Sequence, residues 1–560
     1  MIDRRDAVLV PVPVVRGSHG AVVAPHHLAT TAGLGVLRAG GSAVDAAIAA
    51  NAVLAVVMPN ACGVGGDAFW LIWDERERRL HALNGSGRSS RSVDPNALRQ
   101  SGFGRLPLRG PLSVTVPGAV RSWADAHRRF GRLSTGGVLG PAIELARDGF
   151  AAWEGLIESV DVMARIVDAE LDADSASRFR RHYRGGDNRA WRPGEVVRFP
   201  ALAATLERIA DVGFDDFYDG EIGERQAAFL AAAGSPIGAD DLRAHTSTWV
   251  EPLRGRYRNH SVATHPPNSS GLIALEILGV LDRLDSPAPR AFGGPGLEDV
   301  DWIHLGIEAS KLAMADRDLH LTDPEARPVP TADLLSDAHA AELASRIDRG
   351  RAAPAPPARS PVGGGTIYLA AVDGQGNAVS LIESHYMGFG SGLVDPETGI
   401  HYHNRGSYFS LDPGHPNVLE PGKRTLHTLM PWMLFEAGAE RPRVVGGSMG
   451  GDAQPQIAAQ VISALVDGAV DVGTAVAAPR WFVEPEDHFA PPVVVLAEPR
   501  FAPGVLEALV DRGHPLTPAA PFDSGLGHCH LIELVDGGPA NGGSLAAATD
   551  PRSAGLPAVW

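Results

Sequence analysis

Three glycines followed by a threonine, "VGGGTIYL" at residues 362–369, place a hydroxyl group behind a backbone with few steric limits. A threonine hydroxyl is a weak nucleophile unless a base sits beside it. At a chain's N-terminus the residue supplies that base itself, because an α-amino group titrates at about 7.7 to 8.0. An internal threonine reaches this state when its hydroxyl attacks the preceding carbonyl and the resulting ester is hydrolysed. Gly365 suits the step, since a residue without Cβ tolerates strained backbone and lets the hydroxyl approach closely. Thr366 is therefore a candidate nucleophile, and Gly365–Thr366 a candidate cleavage site.

Other residues could carry different chemistry. "HYHN" at 401–404, with His415 and His427 further along, raises a metal enzyme as a rival. An H-x-H spacing on a strand points both imidazoles to one face, but no carboxylate or cysteine signature accompanies it. "GGSMGGD" at 446–452 reads by itself as a glycine-rich loop, without the lysine of a phosphate-binding P-loop. "GVGGD" at 63–67 is a poor dinucleotide fingerprint, because the helical pattern precedes it and does not follow. No metal and no cofactor is expected.

These groups must be held by elements that the pattern outlines. Residues 27–58 read as helix with a break at "AGGS" (39–42), and the second half is small and apolar nearly all round, as in a buried core helix. "AFWLIWDERERRLHALNGSGR" (68–88) reads as two strands, and so does "GGTIYLAAVDGQGNAVSLIES" around its "DGQGN" turn. Residues 301–319 place Ile303, Ile307 and Met314 near one helical face, with Asp301 as N-cap. A Pro- and Ala-rich connector, 351–365, runs directly into Thr366. Composition alone makes it a domain boundary, but linkers rarely deliver a chain into a strand that opens on a nucleophile.

The chain has 560 residues, 44% of them hydrophobic, enough for a large core. With 66 acidic against 49 basic residues its net charge is −17, which argues against nucleic acid or an anionic membrane as partner. Cys62 and Cys529 suggest no disulfide framework. The N-terminal stretch is a poor signal peptide and no run approaches the roughly 18 apolar residues of a membrane span, so a cytoplasmic location is expected.

Taken together, "GGGTIYLAAVDGQGNAVS", "GFGSG" (388–392), "PGKRTLHTLMP" (421–431) and "GGSMGGDAQPQ" (446–456) resemble the γ-glutamyltransferase family of N-terminal-nucleophile hydrolases. The upstream segments "AGGSAVDAAIAANAVLAVVMPNACGVGGDAF" (39–69), "VTVPGAVRSW" (114–123) and "PPNSSG" (266–271) are similar to the same family, in the same order. The resemblance implies an α+β fold, a four-layer αββα sandwich, made as a proenzyme that cuts itself before Thr366. Residues 1–365 would be a large chain and 366–560 a small one, together one intertwined domain. The partners implied are a small amide substrate with a carboxylate and the cleaved chains themselves, as a heterodimer or a dimer of heterodimers.

The resemblance also assigns roles. Gly450 and Gly451 match the backbone donors that hold the oxyanion, and Ser384 lies where a hydroxyl assists the threonine. Arg88, in "NGSGRSS", matches an arginine that grips a substrate carboxylate, which a planar guanidinium does bidentately. The substrate-reading segment departs from the family. Tyr408 stands where an aspartate usually pairs the substrate ammonium, Arg405 where a glutamine is usual, and His427 and Thr428 replace a serine pair. Loss of that carboxylate and gain of a cation point to a substrate rich in carboxylate or carbonyl oxygens and lacking an ammonium. "NRGSYFSLDPGHP" (404–416) and "ATDPRSAG" (548–555) are similar to the branch containing oxamate amidohydrolase. A γ-glutamyl amide, a cephalosporin-acylase-like amide, and a processed but inactive binding protein remain alternatives.

Overall fold

The computed structural model describes residues 12–184, 188–286, 299–354, 365–487 and 490–560, with the side chains of 485–492 left out. The expected connector falls mainly on 355–364, outside the described residues; only 351–354 and Gly365 are placed.

The break at 39–42 separates two helices, His27–Arg38 and Ala43–Val57 (α1). Gly40, at φ +92°, takes a conformation that a side chain disfavours. Ser42 then restarts the helix: its hydroxyl accepts from the Asp45 N–H at 3.1 Å, and the Asp45 carboxylate accepts from the Ser42 N–H at 2.8 Å. This reciprocal cap satisfies two donors that a helix start leaves unpaired. Every residue of α1 is buried, as its all-round apolar surface requires. The helix Val300–His320 (α2) buries Ile303 and Ile307, whereas Met314 is only partly covered. Its cap is Asp299, which accepts from the Trp302 N–H at 3.0 Å, and not Asp301. Asp301 already lies inside the first turn, where its carboxylate meets Arg512 instead.

Asp67–Asp74 (β1) pairs antiparallel with Arg79–Gly85, and Gly365–Val372 (β2) pairs antiparallel with Ala378–Tyr386 (β3), the two hairpins that the pattern outlines. Asp373 closes the second turn by accepting from the N–H groups of Gln375 and Asn377, each at 3.0 Å. Both hairpins join one seven-stranded sheet. Its order is Ala558–Val559, Ala21–Val23, β2, β3, β1, Arg79–Gly85 and Thr248–Val250. A second seven-stranded sheet runs Val15–Gly17, Ser544–Ala548, Cys529–Val535, Val444–Ser448 (β4), Trp432–Glu436, His260–Thr264 and Leu253–Tyr257.

Strand periodicity distributes the core. Along β2, Ile367, Leu369 and Ala371 pack with α1 and neighbouring helices. Tyr368, Ala370 and Val372 face the opposite way, into a cluster with Met433, Val445 and Ile532 of the second sheet. The outer face of the second sheet, through Trp432, Leu434 and Leu531, packs on α2, Gly271–Asp282 and Gln454–Val466. The fold is thus a mixed helix-and-sheet, α+β, structure. Thr366 shares the parity of Tyr368 and so sits at the end of the sheet-to-sheet face. Cys62 and Cys529 are free and buried. No helix among the described residues is long and apolar enough to cross a membrane.

Met433 is fully buried between the two sheets. Met433→Ala should cost about 2–5 kcal/mol and lower the melting temperature measurably; an unchanged thermal unfolding curve would contradict a close-packed layer there.

Candidate active site

The end of β2 is irregular. Gly365 pairs with Tyr386 but Thr366 with Ser384, so His385 is an extra residue that bulges out of β3. The bulge is tied down from outside, because the His385 N–H donates to the Ala61 carbonyl at 3.1 Å and its carbonyl accepts from the Asn404 N–H at 3.1 Å. Tyr386 follows at φ +77°, a strained conformation for a bulky residue. A Cβ on Gly365 would come within 2.9–3.1 Å of the Gly388 nitrogen, the Met387 carbonyl carbon and the Asn60 oxygen, so glycine is required at this position.

Removing one residue from register brings two hydroxyls together. The Thr366 Oγ1 donates to Ser384 Oγ at 3.0 Å, and Ser384 Oγ donates to the Gly365 carbonyl oxygen at 2.8 Å. Ser384 Oγ also accepts from the Tyr386 N–H at 2.7 Å and from Arg405 Nη2 at 3.1 Å. One hydroxyl therefore touches the candidate nucleophile and the oxygen of the candidate scissile bond, with two further donors polarising it.

Arg405 is fully buried; its Nη1 donates to Thr428 Oγ1 at 3.2 Å, and its guanidinium lies 4.4 Å from the Tyr386 ring centroid. Burial lowers its pKa from the usual guanidinium range, while Asp67, Tyr386, Tyr408 and Asp452 act in the opposite direction. The Tyr408 hydroxyl donates to both oxygens of Asp452, at 2.5 and 2.6 Å, and Arg317 pairs with the same carboxylate. Burial raises the Asp452 pKa, and Arg317 pulls it back. His427 faces Asp67 at 3.2 Å, and Asp67 also accepts from the Gly87 N–H at 2.9 Å. Burial, then Arg405, push the His427 pKa down to about 3 against the pull of Asp67, leaving a neutral imidazole.

A cavity of about 700 Å³ opens on Gly365 and Thr366; Met449, Gly388, Arg109 and Asn60 also line it. Gly450 and Gly451, directly after Met449, take φ of +144° and +55°, and no hydrogen bond among the described residues uses either N–H. Arg405, Tyr408, His427 and Thr428 do not line this cavity: each is at most 2% exposed, and Arg405 and Thr428 form a shell beneath the hydroxyl pair. Arg88 is elsewhere. Its guanidinium meets Glu325 at 2.6 Å and Asp323 at 3.5 Å, so two carboxylates of the chain already occupy the arginine expected to hold a substrate.

The H-x-H imidazoles are likewise engaged separately. His401 Nδ1 meets the Tyr183 hydroxyl at 3.0 Å and His403 Nε2 the Thr115 carbonyl at 2.9 Å. Neither belongs to a group of convergent ligands among the described residues. Sequence reasoning missed Arg109, Asp452 and the role of Asp67. Asp67 and Asp452 end glycine-rich motifs already singled out, "GVGGD" and "GGSMGGD", whereas nothing in "RLPLRGPLS" marks Arg109.

Residues 29–560 match the Gamma-glutamyltranspeptidase family. The chain is 37% identical over 552 residues to an oxamate amidohydrolase proenzyme of Klebsiella pneumoniae, covering 97% of this chain and 99% of that protein. It is 36% identical over 546 residues to the glutathione hydrolase-like YwrD proenzyme of Bacillus subtilis, covering 97% and 98%. The crystal structure of cephalosporin acylase from Bacillus halodurans superposes with a TM-score of 0.88 at 37% identity, covering 98% of this chain and 97% of that one. These similarities define an enzyme of the amidohydrolase and acyltransferase class. The chain belongs to the γ-glutamyltranspeptidase family.

Glu383, beside Ser384 on β3, points to the helix side. Its carboxylate accepts from the Gly63 N–H at 2.8 Å and from Asn51 Nδ2 at 2.5 Å. Burial pushes its pKa up to about 8, against both donors. The folded state then keeps a proton that the unfolded chain releases above its ordinary value of 4.5, so this group's contribution to stability falls as pH rises from there to about 8. Glu383→Gln should flatten the loss of melting temperature between about pH 6 and about pH 8.5. Identical slopes in wild type and variant would exclude the group.

Proposed function

We propose that this chain is a self-processing amidohydrolase whose nucleophile is Thr366, N-terminal in a cleaved small chain. The observation that carries the reading is the hydrogen-bond chain from Thr366 through Ser384 to the Gly365 oxygen, at 3.0 and 2.8 Å. By this reading the fold is the four-layer αββα sandwich of the N-terminal-nucleophile hydrolases, one intertwined domain cut into residues 1–365 and 366–560. Strand order supports it: β2 lies between Ala21–Val23 and β3, and β3 pairs with β1, so both segments interleave in one sheet.

Processing begins as Thr366 Oγ1 bonds to the Gly365 carbonyl carbon. Its proton passes to Ser384 Oγ while the Ser384 proton passes to the Gly365 oxygen. Collapse breaks the Gly365–Thr366 C–N bond, the nitrogen takes up a proton, and water hydrolyses the ester. The product is a carboxylate at Gly365 and a free α-amine at Thr366, a base suited to neutral pH. In turnover that amine takes the hydroxyl proton as Thr366 attacks a substrate amide, and the leaving amine or ammonia carries it away. Gly450 and Gly451 N–H groups hold the oxyanion; donors in that role are worth about 2.7–4 kcal/mol each. Water, or an acceptor amine, releases the acyl group.

The substrate class is an amide of a small carboxylate-bearing acid, oxamate-like or γ-glutamyl-type, in keeping with the named activities of the two relatives. A cephalosporin-acylase-like amidase is a second reading, favoured by the apolar cavity wall of Trp153, Val162, Met163 and Ile166 and by the solved acylase neighbour.

Denaturing gel electrophoresis should show two bands for the wild type, corresponding to residues 1–365 and 366–560. Thr366→Ala should give one uncut band and no amide hydrolysis. Ser384→Ala should slow processing by roughly 10²-fold, the scale of a positioned proton-transfer group. A single intact band from active wild-type protein would sink the reading.

A further inference from the structure

Arg109 is a cavity-wall arginine that makes no ion-pair contact among the described residues. It is 9% exposed and lines the same cavity as Gly365 and Thr366. Its Nη1 donates to the carbonyls of Gly388 (2.7 Å) and Gly390, which fixes the plane of the guanidinium. No hydrogen bond among the described residues uses Nη2 or Nε, and no described carboxylate lies within ion-pairing distance. The other arginine on this wall, Arg552, is fully paired with Asp550 and Glu498. A buried cation without an ion-pair contact is costly, and burial lowers the Arg109 pKa to about 10, with Glu170 and Tyr386 acting against it from further away.

The position relative to the chemistry is set by a single residue, Gly388. The Gly388 nitrogen packs 2.9 Å from where a Cβ of Gly365 would stand, and the Gly388 carbonyl is the one that Arg109 holds. We infer that Arg109, and not Arg88, binds the carboxylate of the substrate's acyl half, using the guanidinium edge that the Gly388 and Gly390 carbonyls leave open. The inference rests on Thr366 as the nucleophile and names the residue that sets specificity at the same site. Two N–H groups on one edge match the two oxygens of a carboxylate, so the pair is bidentate and orients the scissile carbonyl towards Thr366. Arg88 cannot serve without giving up Glu325 and Asp323.

The test is calorimetric titration of processed enzyme with ketone isosteres that have no amide to cut: pyruvate, matching oxamate, and the longer levulinate. Neutral 3-methylbutan-2-one, with an isopropyl group in place of the carboxylate of pyruvate, is the control for shape without charge. Wild type should bind at least one of the two acids more tightly than the control. Arg109→Gln should weaken that acid by roughly 10- to 100-fold and leave the neutral control unchanged, the scale of a lost hydrogen bond to a charged group. Arg109→Lys, which keeps the charge but not the fork, should fall between them. Wild type that binds neither acid, or Arg109→Gln that binds both as wild type does, overturns the assignment. Equal weakening of acid and neutral control also overturns it, because Arg109 would then act only by holding the 388–390 loop. A denaturing gel of the same wild-type sample separates the two failures, since an uncut active chain defeats the Thr366 reading whatever Arg109 binds.

Discussion

The pairing of β2 with β3, out of register by one residue at its end, is the constraint on which the site depends. A regular antiparallel ladder would set Thr366 opposite His385 and turn Ser384 to the other face. The bulge at His385 instead places Thr366 and Ser384 on one face and carries the Gly365 carbonyl within reach of the Ser384 hydroxyl. What holds the bulge is local and polar: the Ala61 carbonyl on one side and the Asn404 N–H on the other. The loop that supplies Ala61 is in turn held by Glu383 through Gly63. The strain at Tyr386 is thus offset by hydrogen bonds from two separate segments of the chain.

Charge is arranged in two tiers around this pair. Beneath it, Arg405 is buried, stacked on an aromatic ring and, among the described residues, bonded to two neutral hydroxyls, so its field acts on Ser384 with little screening. Asp452 answers part of that charge from behind, but it is itself shared between Tyr408 and Arg317. Tyr408 therefore does not leave the region without a carboxylate. It hands its hydrogen bond to an aspartate from the glycine-rich loop that follows β4. Arg109 on the cavity wall, and the Gly450–Gly451 amides that follow Met449 of the same wall, have donors that no hydrogen bond among the described residues uses, which is the pattern expected of a surface that completes itself with an oxygen-rich ligand.

Much of this was legible in the chain. The two hairpins, the helix break at 39–42 and the buried character of α1 follow from short-range patterns of apolar residues, glycines and turn residues. Those patterns are dictated by steric and hydrogen-bonding rules acting over a few residues. Asp301 shows their limit: two aspartates lie near the helix start, and only the backbone angle at Asp299 decides which is the cap. Thr366, Ser384, Gly450 and Gly451 were named from motifs. Arg405 and Thr428 were too, although they support the hydroxyl pair from below instead of lining the cavity.

Arg88 and Arg109 mark where sequence reasoning stops. Both are arginines in glycine- and proline-rich loops, with the same chemistry available to each. Sequence determined that a threonine able to become a nucleophile follows a run of three glycines, and which strands, turns and helices surround it. Only the tertiary structure decided which arginine is neutralised by the chain's own carboxylates and which faces the cavity. Charge pairing depends on segments more than 200 residues apart, such as Arg88 and Glu325, and no local rule carries that information.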